Sequence, residues 1–121
     1  MKTSETAENV ALTILEQLGG KQFLIVTGIK KLVYGTDSKE RDYALFLLPR
    51  NPSKANRFTV RLEWDDTYTV EFERVVGPRI SYTKGTYTPG HVDTIYKADG
   101  IYCDGLEELF RRVTKLETRL F

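Results

Sequence analysis

One cysteine, one histidine, one tryptophan and one methionine in 121 residues leave little material for most kinds of site chemistry. Cys103 alone permits no intramolecular disulfide and no cysteine-based zinc site within one chain. With His91 the sole histidine, the commonest metal ligand and general base is confined to one position. Long hydrophobic runs are missing too. Phe23 to Val26 and Tyr43 to Leu48 are far too short to span a bilayer. Met1 to Glu8 has no apolar signal core, and Asn51-Pro52-Ser53 fails as a glycosylation acceptor because proline occupies the middle. The expectation is a cytoplasmic protein with no membrane contact. Neither sign of charge dominates, with 18 Lys and Arg against 17 Asp and Glu. A protein held to nucleic acid mainly by phosphate neutralisation carries a clear positive excess, so any basic patch here has to be local.

The rest is ordinary globular usage, 40% hydrophobic and 29% charged, in a length that holds one core. A single domain over residues 1–121 is expected, with residues 1–5 flexible. From Thr6 to Leu18, the apolar positions Val10, Ala11, Ile14, Leu15 and Leu18 recur at helical spacing, and Gly19-Gly20 supplies a left-handed stop. The β-branched run Phe23-Leu24-Ile25-Val26 then reads as a short buried strand, with Ile29 to Tyr34 continuing beyond Gly28. Thr36 to Asp42 is a solvated loop, Tyr43 to Leu48 a strand ended by Pro49, and Arg50 to Asn56 a polar turn.

Arg57 to Val75 carries the clearest pattern. Phe58, Val60, Leu62 and Trp64 alternate with polar residues, and after Asp65-Asp66 so do Tyr68, Val70 and Phe72, as in a hairpin with one core face. A two-residue turn would set Leu62 opposite Thr69 and mix apolar with polar. Matching the faces requires a loop of three residues, Asp65 to Thr67, or of five. The three-residue form pairs Trp64 with Tyr68 and sets Arg61 opposite Glu71. Gly77-Pro78 breaks the strand, Ile80 to Tyr82 begins another, and Thr83 to Asp93 forms a glycine- and threonine-rich loop. Asp104 with Glu107 marks the start of a C-terminal helix whose apolar face is Leu106, Leu109, Phe110 and Val113. It ends between Val113 and Glu117, with Leu116, Leu120 and Phe121 packing beyond it. The fold class is α+β: an antiparallel sheet of four to six strands with the N-terminal and C-terminal helices packed on one face.

Several segments resemble small proteins of phages and mobile elements. These are Ile14-Leu15-Glu16-Gln17-Leu18-Gly19-Gly20-Lys21-Gln22-Phe23 followed by Thr27-Gly28, then Asp66-Thr67-Tyr68-Thr69-Val70-Glu71-Phe72, then Tyr102-Cys103-Asp104-Gly105-Leu106 with Phe110 and Thr114-Lys115-Leu116. The likeness covers most of the chain. It implies a phage-like origin and a bacterial host, and no particular chemistry. Such proteins usually carry glycine where this chain has Lys115, which bears on how the last helix closes.

Cys103, His91 and Asp93 would compose a Cys-His-Asp set, but the spacing matches no nucleophile motif, and free cysteine is more often a small buried hydrophobe. Glu63, Asp65 and Asp66 offer oxygen atoms to a cation, yet aspartate is equally a turn residue. Gly19-Gly20-Lys21 lacks the spacing of a phosphate loop. No catalytic residue, metal or cofactor is therefore expected. The distributed candidate is stronger: Arg79, Tyr82, Lys84, Tyr87, His91, Tyr96 and Lys97 interleave aromatic and basic residues, and Arg50, Lys54 and Arg57 form a second basic cluster. Tyrosine and arginine are favoured at protein interfaces. The same mixture can stack bases and meet phosphates. A non-enzymatic accessory protein that binds a host or phage protein is the leading expectation, with single-stranded nucleic acid or a nucleotide as the alternative. Self-pairing through a sheet edge is compatible with both.

Overall fold

The computed structural model describes residues 4–118. Helix α1 spans Ser4–Leu18 and buries Ala7, Ala11, Ile14 and Leu18, the stripe its periodicity marks out. Of the expected flexible start, residues 1–3 lie outside the described residues, and Ser4 and Glu5 are helical. The next segment corrects the sequence reading. Lys21–Thr27 is a second helix, α2, and not a strand. Gly19 and Gly20, at φ of 127° and 68°, turn the chain within two residues, and Gly20 N–H donates to the Leu15 carbonyl. The helix buries Phe23 and Thr27, four residues apart, and is closed by Gly28 in the left-handed region. A strand would have placed Phe23 and Ile25 on one face. The helix instead leaves Ile25 69% exposed and sets Phe23 edge-on against Phe110 and Phe46, at 4.9 and 5.8 Å between ring centroids. Packing of one phenylalanine outweighs the β-preference of its neighbours, which spans only about 1 kcal/mol.

Among the described residues seven strands follow: β1 (Lys31–Thr36), β2 (Asp42–Leu47), β3 (Arg57–Leu62), β4 (Tyr68–Val76), β5 (Arg79–Ser81), β6 (Thr86–Thr88) and β7 (His91–Ile101). Five of them form one antiparallel sheet in the order β1-β2-β3-β4-β7, while β5 and β6 pair separately. The segment 91–101, expected in part as loop, is thus a long edge strand. Helix α3 (Leu106–Thr114) ends the fold, and all three helices lie over one face of the sheet. Ala44, Phe46, Phe58, Val60, Val70 and Phe72 point from the strands into this layer and are fully buried. Phe58 stacks between Phe46 and Phe72, and Phe110 of α3 reaches it at 5.2 Å. Tyr68 donates its phenol proton to Gln17 Oε1 at 2.7 Å, tying α1 to the start of β4.

The β3–β4 register differs from the three-residue reading by a shift of two. Leu62 faces Tyr68, Val60 faces Val70 and Phe58 faces Phe72, around the five-residue loop Glu63 to Thr67. Both registers keep the same faces, so burial cannot choose between them. The turn decides. Asp65 Oδ1 accepts from the Thr67 amide and hydroxyl, Glu63 N–H donates to the Thr67 carbonyl, and Asp66 takes φ of 66°. Trp64 therefore sits on the loop, 95% exposed, where the sequence reading placed it in the core. Arg61 still meets Glu71, diagonally across the pair.

At the last helix, Asp104 lies in a 3-10 turn over Cys103–Gly105 and Gly105 is the cap of α3, with no side-chain cap bond at either, so the expected capping box does not form. The helix closes on a left-handed residue nonetheless. Lys115 has φ of 62° and its N–H donates to the Arg111 carbonyl at 2.8 Å. A Cβ in that conformation costs roughly 1 kcal/mol that glycine does not incur. Lys115→Gly should therefore raise the unfolding free energy by about 0.5–1 kcal/mol in denaturant titrations. An unchanged or lower value would show that the lysine makes compensating contacts. Leu116 packs on the core rim, whereas Leu120 and Phe121 lie outside the described residues.

Candidate functional site

The most exposed part of the chain is an arm projecting from one end of the sheet. The β4–β7 ladder ends with Val75 opposite Val92 and Val76 opposite His91. Beyond it Gly77-Pro78 redirects the chain into the β5–β6 hairpin, where Arg79 pairs with Thr88, Ile80 with Tyr87 and Ser81 with Thr86. Gly90 returns the chain so tightly that a Cβ there would come within 2.7 Å of the Val76 carbonyl oxygen. Two features make the arm unusual. Its apolar groups cover nothing, with Tyr82 91%, Tyr87 64% and Ile80 62% exposed and Val92 exposed beside them. Its charge is one-sided, since Asp93 is the single carboxylate between Arg79 and Lys97 and sits 3.2 Å from His91 Nε2.

Of the residues singled out from sequence, Arg79, Tyr82, Lys84, Tyr87 and His91 share this arm and are exposed. Tyr96 is placed elsewhere: half-buried, edge-on to Phe72 at 6.2 Å, it belongs to the core rim. Lys97 lies opposite Glu71 on the sheet's outer face. The second cluster is likewise divided. Arg57 is held by Glu73 at 2.8 Å, while Arg50 and Lys54 line an open cleft of about 550 Å³ in the β2–β3 connection. Arg74, which sequence reasoning passed over, joins them there and donates to the Lys54 carbonyl at 3.1 Å. Leu48, Pro49, Pro52 and Ala55 form the apolar part of the cleft, and no carboxylate lines it. Asn51 shapes the loop by donating to the Pro49 and Ala55 carbonyls, and Asn56 extends the ladder by bonding both N–H and C=O of Val75. Cleft and arm occupy the same end of the sheet.

The opposite end is acidic. The Asp37–Arg41 loop lies beside the Trp64 loop, so Glu40, Glu63 and Asp66 line a cleft with the exposed indole, together with Lys39 and Arg41, while Asp37 and Asp65 belong to the same two loops. Arg41 bridges Asp37 and Glu63 at 2.9 Å each. The loop, expected to be merely solvated, is ordered by this bridge and by the buried Asp42, whose Oδ1 accepts from Thr36. The Thr69 hydroxyl and then the Arg41 guanidinium hold the Glu63 carboxyl below its ordinary range. Burial pushes Asp37 upward, but the amides of Arg41 and Lys39 and the guanidinium outweigh it and leave the carboxyl lowered. Groups depressed on folding stabilise the native state above the unfolded carboxylate range and lose that contribution as pH falls through the folded values. Arg41→Ala should cost about 1 kcal/mol at neutral pH, with variant and parent converging as pH falls below the ordinary carboxylate range and through the lowered values of Asp37 and Glu63. Urea unfolding across that range checks it, and a deficit independent of pH would contradict the assignment.

Cys103 is exposed, contrary to the buried hydrophobe expected, and follows the end of β7 that is remote from His91. His91 and Ile101 are the two ends of the eleven-residue strand β7, a span of roughly 30 Å, so the Cys-His-Asp set is not brought together. Among the described residues no group of three or more His, Cys, Asp or Glu side chains is arranged to hold a metal ion, and no helix is long and apolar enough to cross a membrane. Comparison with protein-family models, with curated proteins and with solved structures gives no match.

Proposed function

We propose that the chain is a non-enzymatic phage accessory protein that binds a host or phage protein stoichiometrically, with the arm as its grip. The observation carrying this reading is the exposure of Ile80, Tyr82 and Tyr87 on a hairpin that contributes nothing to the core. A hairpin with no core of its own is marginal in water, and apolar groups held out on one are typical of surfaces completed by a partner. Tyrosines flanked by arginine and lysine suit a protein surface, where large rigid side chains are ordered at low entropic cost. The resemblance to small phage proteins supports a partner in a bacterial host, and inhibition of a defence system, in the manner of an anti-CRISPR protein, is the form such an origin favours. Nucleic acid ranks second: Arg50, Lys54 and Arg74 favour it, but Arg57 is neutralised by Glu73 and Lys97 faces Glu71. A photo-crosslinking residue placed at Tyr82 should trap one discrete protein adduct in bacterial cells, and the same residue at exposed Leu12 should not. Equal labelling from both positions would refute the arm as the contact surface. A nucleic-acid adduct would transfer the function to the second reading.

A further inference from the structure

The two ends of the sheet are complementary to each other, although the net charge is only +1. At one end stands Trp64, 95% exposed, in a cleft shared with Glu40, Glu63 and Asp66 and with the cations Lys39 and Arg41. Arg41 is engaged by Asp37 and Glu63, and Asp65 and Asp66 beside the indole leave the tip with an excess of carboxylates. At the other, an open cleft combines the apolar surface of Leu48, Pro49 and Pro52 with Arg50, Lys54 and Arg74, and contains no carboxylate. Strand β3 runs between the two, starting beside the cleft and ending two residues before Trp64, so a single chain cannot bring them together. We infer that the Trp64 tip of one copy docks in the cleft of the next, so that the protein associates head to tail. The indole lies on the proline surface and against the guanidinium groups, a favourable stacking of cation on aromatic face. The acidic loops meet the cations around it. The cleft volume of about 550 Å³ lies in the range that accepts small aromatic groups. Because the two surfaces are different and lie at opposite ends of β3, the contact is heterologous and can propagate from copy to copy, as a ring or as an open chain. Each contact is small and charged, which makes it reversible and salt-sensitive.

Analytical ultracentrifugation at low ionic strength tests this on the intact protein. The weight-average mass should climb above the 13.9 kDa of a single chain as concentration is raised toward about 1 mM, and fall back on addition of salt. Trp64→Ala should lower the association constant at least about tenfold, as loss of a central aromatic anchor does. A Lys54→Glu, Arg74→Glu double variant should do the same. Both sites are exposed, so circular dichroism and thermal midpoints should match the parent. Mixing the two variants is the sharpest arm of the test. Each retains one intact end, so the mixture should form a one-to-one dimer and nothing longer. A chain lacking residues 78–89 keeps both ends and should still assemble, which separates this inference from the function of the arm. A parent protein that stays single at every concentration, a Trp64→Ala variant that assembles like the parent, or a mixture that remains monomeric would each overturn it.

Discussion

Replacing Phe110 by alanine is expected to remove about 3–5 kcal/mol of unfolding free energy, the cost of deleting a fully buried ring and leaving a cavity behind. The site offers little chance of collapse. Phe110 lies 4.9 Å from Phe23, 5.2 Å from Phe58 and 6.2 Å from Phe72, so it touches α2 and two neighbouring strands at once. Domains of this size have about 5–15 kcal/mol of stability in all, so one substitution takes about a fifth or more. The thermal midpoint should drop by about 10–20 °C. Ile25→Ala, in the adjacent helix but on its exposed side, should change the free energy by less than about 0.5 kcal/mol. Calorimetry on the two variants measures the contrast. Similar losses at both positions would mean that α2 does not sit on the sheet as described.

The second large effect concerns binding, with stability unaffected. Replacing Ile80, Tyr82 and Tyr87 together by serine should weaken capture of the protein partner by about 100-fold or more, since truncating an aromatic anchor commonly costs 2 kcal/mol or more and the terms do not simply add. None of the three belongs to the buried cluster, so the thermal midpoint should remain within about 2 °C of the parent. Titration of the crosslinked partner with parent and variant measures the first quantity, and a melting curve the second. Full affinity in the triple variant would remove the arm from recognition.

Much of this fold was legible from periodicity. The stripe of α1, the strand over residues 43–47 and the alternating faces of β3 and β4 follow from where apolar residues recur. Legibility stopped where two structures satisfy the same pattern. Phe23 to Val26 fits a buried strand by composition, and only the position of Phe110, far along the chain, makes a helix the better way to bury Phe23. The β3–β4 register was ambiguous by two residues, because such a shift preserves every face. The hydrogen bonds of Asp65 and Thr67 resolve it and thereby expel Trp64 from the core. The arm was readable as an aromatic and basic segment but not as a projection, since pairing β7 with β4 depends on contacts between residues 15 (Val76 and His91) to 33 (Tyr68 and Ile101) positions apart. Arg74 escaped notice because it follows Glu73 in an alternating strand and joins Arg50 and Lys54 only when β4 is placed beside the β2–β3 connection.

Excision of residues 78–89 is expected to leave the sheet in place, because Val76 and His91 are the last pair of the β4–β7 ladder and Gly77 and Gly90 would then form a two-residue hairpin turn. Affinity capture from the same bacterial lysate with the parent and the excised chain asks most directly whether recognition resides in the arm and folding in the phenylalanine core. The excised chain should melt cooperatively at nearly the parental temperature and recover none of the protein that the parent retains. Recovery of that protein in equal amount by both chains would contradict it.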